Sequence, residues 1–206
     1  MIEIKKAEPK HVEGIAKVCS NGYWATYFEL RSKEYITRII SAFYNIERIH
    51  NEVMETSREW GGYFVATENK EVIGAIGGGM INDTAGEVFV LYLNPNRRNE
   101  GIGTMLLDVL TKQQKEEFGA NEQWVSVAKG NQKGIPFYEA KGFILKNEQD
   151  GYGNVEEEKY TSLRYCRVIC KKHLVKRLVK REIRKANEVR SFAVLQARQN
   201  SLIKQV

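Results

Sequence analysis

The chain has 206 residues, 42% hydrophobic and 28% charged, with 17 Gly, 3 Pro and 10% aromatics; this balance excludes a disordered, collagen-like or membrane-embedded chain. At this length about 70% of the unfolded surface can be buried, so one compact domain needs neither disulfides nor a metal to hold it together. The net charge of +6 is uneven: 11 of the 32 basic residues but only two of the 26 acidic ones lie in 170–206, giving +9 there and −3 in 1–169, so any attraction to nucleic acid or membrane belongs to the tail.

In chain order, Ile2 and Ile4 alternate with polar residues as in a short strand, and Val12, Ile15, Ala16 and Cys19 repeat at helical spacing. Residues 20–31 hold four aromatics without a clear period and read as a loop or short helix. Ile36, Ile39, Ile40, Phe43, Ile46, Ile49 and Val53 mark an amphipathic helix broken near Asn45. Two β-rich runs, 63–67 and 72–77, flank the polar residues 68–71 and predict a hairpin. The run 87–93 is apolar on both faces, as in a central strand, and ends at Pro95, which cannot donate to a ladder. A polar stretch, 96–103, then precedes a helix carrying Met105, Leu106, Val109 and Leu110. A buried strand at 124–128, a short helix at 131–141, and strands near 143–145 and 160–165 complete the order. Hairpins mixed with crossovers predict an α/β fold with a mixed sheet.

No apolar run approaches the roughly 20 residues of a membrane span, and the N-terminus has no signal-like apolar segment. Cys19, Cys166 and Cys170 are an odd number and read as reduced thiols. A soluble, cytoplasmic protein is the expectation. His11, His50 and His173 have no ligand spacing, and no metal is assigned.

Chemistry concentrates between Glu87 and Phe118. Gly101 and Gly103 stand where a strand hands over to a helix, whose first N–H groups and positive dipole end make an anion site. A side chain at these glycines would hold phosphates away from the backbone donors. Arg97 and Arg98 add positive charge just before the turn. A P-loop is excluded because no Lys-Ser/Thr pair follows the glycines, and Leu106 stands where a dinucleotide fingerprint needs a small residue.

What remains, Arg98-x-x-Gly101-x-Gly103 after an apolar strand, resembles the pyrophosphate loop of the GNAT superfamily of N-acetyltransferases, with the pattern Gln/Arg-x-x-Gly-x-Gly/Ala. Leu91, Tyr92 and Leu93 before Asn94-Pro95 resemble the strand end on which that family lays the pantetheine arm. Asn131, with Phe137-Tyr138-x-x-x-Gly142-Phe143 after it, is similar to the family's cofactor-side helix. The motifs span 60–145, and the element order carries the match to about 2–168.

The resemblance implies a GNAT-like mixed sheet of about six to seven strands flanked by helices over 1–169, with 170–206 as a basic amphipathic helical extension. It implies direct transfer of acetyl from acetyl-CoA to a primary amine of a small molecule or protein. Cofactor contacts are expected at Leu91, Tyr92, Leu93, Arg98, Asn99, Gly101, Ile102, Gly103, Thr104 and Asn131. A backbone N–H near Leu91 would meet the oxyanion, Tyr138 would protonate the departing thiolate, and Glu87 would serve as base through a water. Each residue also has a plainer reading: Tyr138 as a core side chain, Asn131 as a helix cap, Glu87 as a solvated carboxylate. Tyr23, Trp24 and Tyr27 either close the core or wall the acceptor pocket, which is expected from 20–35 and 146–158. The acidic run Glu148, Asp150, Glu156, Glu157 and Glu158 reads as a solvated loop that would also attract a cationic amine.

The tail has three readings: packing on its own domain or on a homodimer mate, binding RNA or anionic lipid, or little order. The alternative function is a non-catalytic acetyl-CoA-binding module whose tail contacts nucleic acid or membrane.

Overall fold

The computed structural model describes residues 1–170; the basic tail and every expectation placed on it lie outside the described residues. The described chain forms β1 (Glu3–Lys6), α1 (Val12–Tyr27), α2 (Lys33–Phe43), α3 (Ile46–Met54), β2 (Tyr63–Glu68), β3 (Glu71–Met80), β4 (Ala85–Leu93), α4 (Ile102–Lys112), β5 (Glu122–Ala128), α5 (Gly134–Ala140), β6 (Ile144–Asp150) and β7 (Thr161–Val168). The strands make one seven-stranded sheet in the order β1-β2-β3-β4-β5-β7-β6. Every neighbouring pair is antiparallel except β4 and β5. The expected mixed α/β sheet is therefore present. No helix among the described residues is long and apolar enough to cross a membrane.

Local chemistry accounts for most boundaries. Asn69 and Lys70 both have positive φ (50° and 69°) and close the β2–β3 hairpin, a two-residue turn whose twist matches its strands. The break in the second helical run lies at Asn45, whose Oδ1 accepts from Arg48 N at 2.9 Å and caps α3. Residues 20–31 differ from expectation, because α1 continues through them to Tyr27. Tyr23 and Tyr27 extend the inward row begun by Ile15 and Cys19, while Trp24 and Phe28 face outward. Aromatics on both sides of the helix had hidden the period. Strand β6 also runs longer than expected and holds Glu148 and Asp150, so only 151–160 form the loop of the acidic run.

Two apolar layers sandwich the sheet. Ile102, Leu106, Leu107 and Leu110 of α4 pack with Tyr138 on Phe64, Ile76, Val88 and Val125. On the other face Ile15, Cys19, Ile36 and Ile49 pack on Tyr63, Val65 and Ala75. The strand residues alternate between the layers as the pleat requires.

Beneath β4 the first layer contains a polar network. Residues Gln113–Glu117 form a π-helical turn after α4, and it directs Gln114 under the sheet. The fully enclosed Gln114 amide donates to Gly79 O (3.1 Å) and Glu87 O (2.8 Å) and accepts from Gln123 Nε2 (2.8 Å). Arg167 donates to Gln123 Oε1 and Thr111 Oγ1. Gly78 is required here because a Cβ would stand 2.1 Å from Glu87 O. Gln114→Leu strands these buried partners, and a loss of about 2–4 kcal/mol in unfolding free energy is expected in urea titrations. A loss below about 0.5 kcal/mol would show the network to be dispensable.

Candidate functional site

The site arises where β4 and β5 separate. They pair from Ala85↔Glu122 to Val88↔Val125 and no further. On β4 the register against β3 skips Phe89, since Gly77 faces Val90 while Gly78 faces Val88. This bulge bends β4 away from β5. From Phe89 to Leu93, alternate backbone N–H and C=O groups then lack a strand partner on the β5 side. Ser126, in the middle of a seven-stranded sheet, is consequently exposed.

A cavity of about 450 Å³ fills the resulting wedge on the α4–α5 side. Leu91, Tyr92, Leu93, Arg98, Asn99, Gly103 and Asn131 line it, and Tyr138 stands at its inner wall. At its mouth, Asn99 (φ 64°) and Gly101 (φ 78°) take left-handed conformations that turn the chain into α4. No atom lies within 4 Å of a Cβ built on Gly101, so conformation rather than space calls for glycine there. At Gly103 a Cβ would meet Phe137 at 3.4 Å, an ordinary contact. Among the described residues, the backbone amides of 98–103 donate to no protein acceptor. The amides of Thr104 and Met105 are engaged by Gly101 O, and the Ile102 side chain is buried in the core. The open donors are therefore those of the turn and the first two helical residues, at the positive end of α4.

The two arginines before the turn divide. Arg98 lines the cleft. Arg97 instead chelates Glu100 (both contacts 2.7 Å) and reaches Glu68 at 2.7 Å, and these partners raise its pKa; the expectation that Arg97 adds positive charge at the turn is corrected, because two carboxylates offset it. Asn131 caps α5, accepting from the amides of Lys133 (3.1 Å) and Gly134 (2.8 Å), and borders the cleft as well. Tyr138 packs between Phe137 and Phe143. Burial raises the pKa of its hydroxyl, which makes no hydrogen bond among the described residues.

A second cavity, about 620 Å³, lies on the opposite side of the sheet under α1, α2 and α3. Tyr23, Tyr27, Tyr35, Tyr44, Tyr63 and Tyr92 are among the residues of its wall. Tyr23 packs at a tilt against Tyr27 (4.3 Å between ring centres, 44° between planes) and contacts Tyr44 and Tyr92 (both 5.8 Å). Burial raises the pKa values of Tyr23, Tyr27, Tyr44, Tyr63 and Tyr92, so all five are phenols at neutral pH. Trp24 lines a separate surface groove with Phe28 and stands apart from the two tyrosines it was grouped with.

Three arginines and two carboxylates face this cavity. Glu87 is not solvated: it is 8% exposed and held by both Arg164 guanidinium nitrogens, one contact short and the other 3.0 Å. Glu52 receives Arg48 Nε at 2.7 Å and the Tyr63 hydroxyl at 3.1 Å. Arg31 lies over the Tyr160 ring at 4.3 Å and pairs with no carboxylate among the described residues. The sequence reading missed Arg31, Glu52 and Arg164. The Arg48–Glu52 spacing of four was visible on a helix, but nothing local links Glu87 to a partner 77 residues away.

The two cavities share Tyr27, Val88, Phe89, Tyr92 and Ser126. The two cavities thus meet at the bulge, one bordered by open backbone donors and the other by charged and aromatic side chains. No group of three or more potential metal ligands occurs among the described residues.

The chain is similar to known proteins in sequence and fold. A family model described as acetyltransferase (GNAT) family matches residues 21–143. Spermidine N(1)-acetyltransferase of Thermoplasma acidophilum is 31% identical over 162 residues, covering 78% of this chain and 99% of that protein. The solved structure of PaiA N-acetyltransferase from the same organism, in complex with coenzyme A, superposes with a TM-score of 0.67 at 26% identity over 80% of this chain and 98% of that one. The ribosomal-protein-S18-alanine N-acetyltransferase of Escherichia coli shares the fold (TM-score 0.60, 15% identity, 83% of this chain and 96% of that one). The chain belongs to the GNAT acetyltransferase family, and its acetyl donor is acetyl-CoA.

Proposed function

We propose that residues 1–169 form the catalytic unit, with acetyl-CoA entering the α4–α5 cleft and a primary alkylamine entering the tyrosine-walled cavity. The observation that carries this reading is the meeting of the two cavities at Phe89 and Ser126. The cysteine count supports a reducing, cytoplasmic setting, and a homodimer would draw on the tail.

Acetyl-CoA supplies an activated acetyl group as a thioester. In this reading the amides of 99–103 and the Arg98 guanidinium hold its diphosphate, and the open edge of β4 at Leu91, Tyr92 and Leu93 pairs with its pantetheine amides. A β4 amide past the bulge donates to the carbonyl oxygen as negative charge develops there. The amine nitrogen attacks, the C–N bond forms, the C–S bond breaks, and one proton leaves nitrogen while one arrives at sulfur. Tyr138 donates to sulfur. Its burial keeps it a phenol and opposes a lasting tyrosinate, so its proton must be replaced as it is given up. Glu87, oriented by Arg164, takes the amine proton through a water. Direct transfer suits the thiols: burial raises the pKa of Cys19, and burial together with Glu122 pushes Cys166 up to about 11, which disfavours an acyl-cysteine at either.

The test is release of CoA thiol across a panel of primary amines, with spermidine included because a relative is named for it. A panel in which no amine releases CoA from bound acetyl-CoA would overturn the proposal. Arg98→Ala is expected to weaken acetyl-CoA binding about tenfold in calorimetry, with kcat at saturating donor retained; unchanged affinity would remove Arg98 from the diphosphate site.

Tyr138→Phe is expected to lower kcat about 100-fold with acetyl-CoA affinity unchanged, and normal turnover would end the donor role. An alkylammonium ionises near pKa 10.4. With Glu87 as base, kcat/KM rises with pH and levels off below that value. In Glu87→Gln the rise should continue toward about 10.4. A wild-type profile that itself climbs to the amine's own pKa would exclude Glu87 from this role.

A further inference from the structure

The charges in the acceptor cavity do not balance, and the imbalance points to the acceptor's chemistry. Two of the three guanidiniums are committed: Arg164 to Glu87, and Arg48 to Glu52. Arg48 also sits over the Phe43 ring at 4.3 Å. The third, Arg31, follows α1 and reaches the same cavity. It donates from Nη1 to Leu30 O (2.9 Å) and from Nη2 to Thr161 O (3.3 Å), and stacks on Tyr160. Two backbone carbonyls fix its position without neutralising it, and three of its five N–H donors remain. Arg38, on the neighbouring helix, is satisfied by Glu158 at 2.6 Å. Among the described residues, the cavity thus offers an ammonium no carboxylate that is not already bridged to an arginine, while it offers an anion one held guanidinium.

The geometry also sets a length. Arg31 is tied to Thr161, and Arg164 lies three residues further along β7. At about 3.3 Å per residue these anchors are roughly 10 Å apart along the strand. Ser162 and Arg164 project to the same face, and both line the cavity.

We propose that the acceptor carries a carboxylate at the far end of a short alkyl chain from its reacting amine, and that Arg31 binds this carboxylate. The inference rests on the reading that this cavity receives the acceptor. A planar guanidinium with donors to spare matches a carboxylate's two oxygens. A polyamine would instead bring a second positive charge toward Arg31.

The experiment compares γ-aminobutyrate, δ-aminovalerate and ε-aminocaproate, each with its neutral amide and with spermidine, in the thiol-release assay. For the best-fitting length, kcat/KM should exceed that of its amide and of spermidine by about tenfold or more, mainly through KM. In Arg31→Met the acid-to-amide ratio should fall to about one, and Arg31→Lys should keep part of the preference. Thermal melts of both variants establish that they fold. The inference is overturned if wild-type protein turns over the amides or spermidine as well as every acid, or if the preference survives in Arg31→Met. CoA release from none of the amines, with acetyl-CoA bound, overturns the acceptor-cavity reading and this inference with it.

Discussion

The parting of β4 from β5 is the constraint on which the rest of the molecule depends. A sheet normally gives each internal strand two partners, and an unpaired backbone edge in the interior is costly. Here one extra residue, Phe89, ends the pairing after Val88↔Val125. The glycines of β3 make room for the distorted strand, and Gln114 secures the Glu87 carbonyl from below. The wedge leaves a strand edge open toward one cavity, and that cavity shares Phe89 and Ser126 with the one on the other side of the sheet.

Electrostatics in the two cavities differ in kind. The α4–α5 cleft presents backbone amides and a helix end, whose partial charges are fixed and need no counter-ion. The cavity under α1–α3 holds full charges, two of them carboxylates that each face an arginine. Burying a carboxylate alone would be costly, and the arginine opposite each one offsets the desolvation.

Legibility in the sequence followed the range of the interactions. The turn and α4 are local, so the strand-to-helix turn at Gly101 was legible in a short window. The β2–β3 hairpin and the cap at Asn45 were equally plain. Residues 20–27 were obscured because aromatics occupy both sides of α1, and sequence grouped Trp24 with Tyr23 although the helix sends them to different surfaces. The acceptor cavity was hardest to read. Its charged residues come from α3, β4, β7 and the chain after α1, and their pairing depends on sheet order, which no short window contains. Arg97 and Arg98 are adjacent and chemically identical, yet Glu68 and Glu100 claim the first.

The placement of the sulfur atoms has one more effect. An acetyl-CoA-dependent transferase liberates a thiol at every turnover, and in its oxidised form that thiol invites mixed disulfides with any ionised cysteine it can reach. Cys19 is wholly enclosed on the inward face of α1, and Cys166 on β7 is buried beside the Glu122 carboxylate, which opposes its ionisation. Both are thereby shielded from exchange, and accumulation of spent carrier leaves the packing beneath the sheet chemically untouched at these two positions.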